Sequence, residues 1–140
     1  MSQAEAFRSL VVARAGGVCE YCRLLEAATG VTFHIEHVTP RSLGGETSLD
    51  NLALSCPGCN LAKADRDFGL DHRGARQPLF NPRNYEPWLL GWHLHFILDH
   101  DSGIILSRTL VGEATTQTLK LNSPHRVFAR KLQIRSGLIA

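Results

Sequence analysis

No stretch of this 140-residue chain approaches the roughly 18 consecutive apolar residues that a membrane helix needs, so a helical membrane protein is excluded. The first residues, Met1 to Glu5, lack the basic start and apolar run of a secretory signal, and the chain reads as soluble and cytoplasmic. There is no internal repeat and no low-complexity segment. Net charge is also scarce: +2 is too small to announce a nucleic-acid binder. Its distribution is less even. From Arg108 onward, Arg108, Lys120, Arg126, Arg130, Lys131 and Arg135 face only Glu113, so this tail carries +5 against −3 for the remainder. Such a region is either an electrostatic footprint for a polyanion or a solvated helix face. With 44% hydrophobic and 20% charged residues, the length fits one domain over 1–140. Within it we expect a core at about 3–67, a linker loop at about 68–90, and a C-terminal hairpin and helices at about 91–140.

What the chain does have is four cysteines in two Cys-x-x-Cys pairs, Cys19/Cys22 and Cys56/Cys59. In a chain without a signal, this matched spacing suits tetrahedral Zn²⁺ better than disulfides or buried thiols, the competing readings. Four thiolates fill the coordination of a closed structural site and leave no position for water. The interval from Cys22 to Cys56 exceeds what a compact zinc ribbon needs, so the pairs must straddle an inserted unit whose ends the ion ties together. A thiol-redox role explains one Cys-x-x-Cys but not its duplication.

Local patterns give the rest of the architecture. Ser2 and Glu5 form a capping-box pattern ahead of Phe7, Leu10 and Val11, predicting a helix over about 4–15 that Gly16-Gly17 ends. Strands are expected at about 32–38 and 51–55, and a helix from Asn60 to about Asp67. Residues 69–87 hold enough glycines and prolines to read as an ordered loop. Alternation around Trp92, Leu94, Phe96 and Leu98, then the turn Asp101-Ser102-Gly103, predicts a β-hairpin over about 92–111. Helices at about 113–121 and 124–135 complete the chain, the last behind Ser123-Pro124.

The inserted unit therefore runs strand, loop, strand, helix, with Glu36 and His37 on the first strand, Asn51 at the start of the second and Asn60 on the helix. Together with the Gly-Gly-x-Cys-x-x-Cys approach, Ile35-Glu36-His37-Val38-x-Pro40, Asp50-Asn51-Leu52 and Cys56-x-x-Cys59-Asn60-x-x-Lys63, this resembles the HNH endonuclease family over about residues 3–67. Residues 79–135 also resemble the tail of a prokaryotic branch, through Leu79-Phe80-Asn81-Pro82-Arg83, His95-Phe96 and Gly112-x-Ala114-Thr115. The resemblance implies an α+β fold. Its centre would be a ββα-metal (HNH/His-Me finger) core stapled by a four-cysteine zinc site, flanked by an N-terminal helix and a C-terminal hairpin with two helices. It also implies hydrolysis of DNA, expected to be double-stranded, to 5′-phosphate and 3′-hydroxyl ends, with the helix against the minor groove. Glu36 stands where Asp is commoner, and Asn60 where many members have a third His. An Asn there is also the pattern of the HNH domain in CRISPR effectors and of junction-resolving phage enzymes.

The chemistry also follows from the residue types. Phosphodiester hydrolysis needs an activated water and a cation for the charge on the phosphoryl group and leaving oxygen. His37, with an unperturbed pKa of roughly 6.5, is the candidate general base. Glu36 and Asn60 offer oxygen ligands of the type that suits Mg²⁺ or Mn²⁺. Asn51 can be neither acid nor base, and supports the loop or orients His37. His34 shares strand parity with Glu36 and is either an additional ligand or an ordinary strand histidine. Arg41, Lys63 and Arg66 are candidate phosphate contacts, or solvated surface cations. His93 and His95, at i and i+2 of the expected strand, read as hairpin surface and not as a second metal site, while Trp92 and Phe96 read as core. An inactive zinc-stabilised module that binds nucleic acid or protein is the competing function, and sequence recognition is expected from residues 69–140, a dimer or a partner.

Overall fold

The computed structural model describes residues 3–140. Ser2, and with it the expected capping box, lies outside the described residues. The chain opens as a 3₁₀ turn, Gln3–Phe7, that runs into α1, Arg8–Ala15. Two arginines on this segment dock it: Arg8 donates to the Phe33 carbonyl, and Arg14 to the carbonyls of Leu49 and Leu52. Val11 and Ala15 are the buried side of α1.

Strands β1, His34–His37, and β2, Leu52–Ser55, pair antiparallel with His34 opposite Ser55 and His37 opposite Leu52. Helix α2, Pro57–Lys63, follows at once, and strand, strand and helix form the expected ββα unit. α2 begins three residues before the expected Asn60. Its N-cap is Cys56, whose sulfur accepts from the Cys59 N–H, and Pro57 supplies a first-turn φ that suits a helix. It also ends early, at Ala64, where φ is +51°.

The expected loop after α2 contains a small hairpin, β3 Phe68–Leu70 with β4 Arg76–Pro78. Its turn is built by the Asp71 carboxylate, which accepts from the backbone N–H groups of Arg73 and Ala75 and from Gln77 Nε2. Gly74 falls in the turn and Pro78 at a strand end, while Gly69 lies inside β3 opposite Gln77, where a Cβ would sit 2.2 Å from Thr118 Oγ1.

The largest departure lies at Trp88–His95, which is a helix, α3, and not the first strand of a long hairpin. Trp88 and Trp92 are one helical turn apart and both buried, a spacing that outweighs the short alternation after Trp92. Gly91 makes this packing feasible, since a Cβ there would sit 2.1 Å from the Tyr85 ring. His93 and His95 therefore project from a helix. A short hairpin remains, β5 Phe96–Leu98 with β6 Ile105–Ser107. Then come α4, Leu110–Thr118, capped by the Thr109 side chain accepting from Gly112 N–H, and α5, Pro124–Arg135.

A single apolar cluster joins both ends of the chain, from Ala4 and Val11 through Leu52 and Leu54 to Trp92, Phe96 and Leu121. Trp92 and Phe96 are core, as expected. No helix is long and apolar enough to cross a membrane among the described residues.

Candidate active site and zinc frame

The four cysteines meet. Their Sγ atoms all lie within 4.8 Å of one another, all are buried, and none is in a disulfide. Cys22 Sγ is 3.5 Å from Cys56 Sγ, so each pair faces the other across one centre. Within each pair the backbone N–H of the second cysteine points at the sulfur of the first, at 3.4 Å. Burial pushes the Cys19 and Cys59 thiols well above their usual range, while neighbouring donors push Cys56 down. Four buried sulfurs with no carboxylate among them form a donor set that fits a structural Zn²⁺, whose charge is what would hold all of them as thiolates.

Two arginines from α5 meet this frame. Arg126 donates to Cys59 Sγ at 3.0 Å and to the carbonyls of Leu119 and Lys120. Burial works against the charge on Arg126, and the four sulfurs outweigh it. Arg130 is fully buried, donates to the carbonyls of Gly103 and Cys22 and to Asn122, and meets no carboxylate among the described residues. A tetrathiolate zinc centre carries a formal charge of −2, which these two cations offset. The basic tail is thus partly internal structure, a correction to its reading as an exposed polyanion footprint.

On the far side of β1, an open hollow of about 440 Å³ is lined by His34, Glu36, His37, Arg41, Asn60 and Asp65. β1 brings the first three, the loop after it Arg41, and α2 Asn60. His37 Nε2 lies 2.8 Å from Thr47 Oγ1, and its Nδ1 has no hydrogen bond among the described residues. Burial, then the positive charges of Arg41 and Lys63, hold the His37 pKa below its ordinary 6.5.

Asn51 fixes the loop between the strands. Its Oδ1 accepts from Thr39 N–H and its Nδ2 donates to the carbonyls of Thr39 and Glu46, each at 2.9 Å. Gly45 folds so tightly under this clamp that a Cβ would sit 1.8 Å from the Thr39 carbonyl oxygen. This is the loop that delivers Thr47 to His37.

Glu36 is 7% exposed and Lys63 1%. Oε2 of Glu36 accepts from the Tyr21 hydroxyl at 2.7 Å. Lys63 Nζ stands 2.6 Å from Oε1 in a buried ion pair and also donates to the Val38 and His37 carbonyls, at 2.8 and 3.3 Å, so its three N–H groups are all engaged. Burial raises the Glu36 pKa, with Lys63 and Tyr21 opposing. This placement corrects the expectation for Lys63, which is locked beneath β1 and not aimed at a phosphate. Arg66 lies beyond the end of α2 and lines a different groove, on the helix's opposite flank. Arg41 is exposed at the hollow, and so is His34.

Tyr21 and Thr47 carry no signal in the sequence that singles them out. Tyr21 sits between the first two cysteines, a position that reads as knuckle filler, and no spacing rule connects a loop threonine to a strand histidine. The Glu20–Arg83 pair is equally hidden. Glu20 accepts from Leu54 N–H at 2.8 Å and is paired with Arg83, clipping the first knuckle to β2 and to the chain that follows Phe80.

No curated protein and no solved structure matches the chain. Residues 19–66, a segment that begins at the first knuckle cysteine and takes in β1, β2 and α2, match the model of the family described as HNH endonuclease.

Proposed function

We propose that this protein is a metal-dependent endonuclease that hydrolyses DNA phosphodiester bonds at the hollow between β1 and α2. The observation that carries this reading is His37, anchored through Nε2 and open at Nδ1, on the same hollow as the buried Glu36 carboxylate and Asn60. With the Nε2 proton donated to Thr47, the Nδ1 lone pair is directed outward, and the depressed pKa keeps it unprotonated at neutral pH. His37 then takes a proton from water as the water oxygen attacks phosphorus. The phosphorus–O3′ bond breaks, and the leaving oxygen takes a proton from solvent to end as a 3′-hydroxyl opposite a 5′-phosphate. Arg41, at the rim, pairs with a phosphate oxygen of the bound strand.

Glu36 and Asn60 would hold the divalent ion, Mg²⁺ or Mn²⁺, with His34 as an added ligand. The fit rests on the donor set that lines one hollow, the Glu36 carboxylate with the Asn60 amide and the His34 imidazole, and Glu36 Oε1 would be shared between the ion and Lys63 Nζ, 2.6 Å away. Such an ion supplies Lewis-acid stabilisation of the charge that develops on the phosphoryl group and the leaving oxygen. Asn51 and Thr47 are positioning residues: they hold the loop and the His37 ring.

One observation favours a second reading, a zinc-stabilised nucleic-acid-binding module without turnover. Lys63 already meets the Glu36 charge from within the chain. Cleavage of supercoiled plasmid in Mg²⁺ or Mn²⁺ by wild type, His37→Ala and Asn60→Ala separates the two. Nicking by wild type that both substitutions abolish supports the nuclease. Intact plasmid across several divalent ions, with retained DNA binding, supports the module.

A further inference from the structure

The hollow with His37 is not the largest opening beside α2. Across the helix lies a groove of about 900 Å³ that α2 shares with the turn before α5. Its exposed cations are Arg66 and Lys120, with the His125 imidazole beside them, and none of the three is in an ion pair among the described residues. A third cation, Arg126, is already committed to Cys59 Sγ. No carboxylate lines this groove among the described residues. Its wall is apolar: Val31 is 51% exposed and Leu61, at the crest of α2, is 82% exposed, the most of any large apolar side chain described.

Resting on the nuclease reading above, we propose that this groove holds the uncut strand of duplex DNA while the cut strand passes through the His37 hollow. Cations without acids select a polyanion, and exposed apolar side chains beside them suit the sugar faces that alternate with phosphates. The two openings flank a single helix of seven residues. A minor groove is about 6 Å wide and a helix with its side chains about 10–12 Å across, so a helix laid over that groove meets both backbones. Leu61 then faces the base edges, where an apolar side chain spreads the minor groove. Lys120 and His125 lie outside residues 19–66, so the C-terminal segment contributes directly to substrate binding.

The test uses the full-length, zinc-loaded protein with His37→Ala to prevent turnover. Equilibrium binding is measured for a short duplex and for its cut strand alone, across a salt series. Adding Arg66→Gln with Lys120→Gln should weaken duplex binding about tenfold and shrink the slope of log K against log salt by about two. Single-strand binding should stay within about twofold, and Arg135→Gln, at the exposed far end of α5, should change neither. Leu61→Glu, which alters the crest without removing a cation, should also weaken the duplex selectively. Unchanged duplex affinity and slope overturn the groove assignment. An equal loss for the single strand overturns its assignment to the uncut strand. If the His37→Ala parent binds neither form and wild type does not nick, it is the nuclease reading that fails.

Discussion

At the scale of single residues, the proposed chemistry depends on how three polar side chains are held. His37 is fixed through one nitrogen and open at the other, and its pKa is depressed by burial and by Arg41 and Lys63. A depressed pKa means the neutral base is regained at lower pH. kcat/KM should therefore climb with pH through a midpoint below 6.5 and level off by about pH 7. Arg41→Ala, by removing one positive neighbour, should move that limb upward, and a limb centred above pH 7 in wild type contradicts the assignment. Thr47→Val should lower kcat by about 10- to 100-fold through loss of ring alignment, leave KM nearly unchanged, and be partly rescued by Thr47→Ser. Lys63 and Glu36 form a buried pair, so Lys63→Met leaves an uncompensated carboxylate and should cost about 3 kcal/mol in chemical denaturation. A loss under about 1 kcal/mol would indicate that Glu36 is protonated in the folded protein, the direction in which its burial pushes it.

At the scale of elements, α2 connects frame and chemistry. Cys56 caps it and Cys59 lies in its first turn, while Asn60 follows directly and lines the hollow. Cys56→Ser should thus lose stoichiometric zinc and displace Asn60 as well as destabilise the fold; retained zinc with a normal unfolding transition counts against the frame. The elements differ in how legible they are in the sequence. The ββα unit is readable because it is punctuated by residues with fixed jobs: prolines, cysteine pairs and β-branched runs. α5 is readable from Ser123-Pro124. α3 is not, because Trp92 to Leu98 alternates like a strand, and only tertiary burial of Trp88 with Trp92, over a glycine that admits the Tyr85 ring, settles it as a helix. The motif residues His34, Glu36, His37 and Asn60 can be named from their pattern, and they do share one hollow. Their partners Tyr21 and Thr47 cannot, because a hydrogen bond between distant residues leaves no local periodicity. Lys63 misleads for the same reason: its spacing on α2 is compatible with a surface phosphate contact, and only the fold reveals that it points inward.

At the scale of the whole molecule, the zinc frame and the C-terminal helices depend on each other. Arg126 and Arg130 reach from α5 to the cysteine centre, and Arg130 has no carboxylate to offset it among the described residues. Removing zinc with a chelator should then raise amide exchange in α5 as well as in the knuckles. Arg130→Met should speed zinc loss to a competing chelator; unchanged protection in α5 after zinc removal would mean that the helix is held by apolar packing alone. On the proposed function, this frame sets His37 and Asn60 on one DNA-cutting hollow. The most direct test of that function is nicking of supercoiled plasmid by the zinc-loaded protein in Mg²⁺ or Mn²⁺, beside His37→Ala with equal zinc content and thermal stability. The account predicts nicked, religatable products from wild type and none above background from His37→Ala. Equal cleavage by both proteins, or none by wild type in any divalent ion, would contradict it.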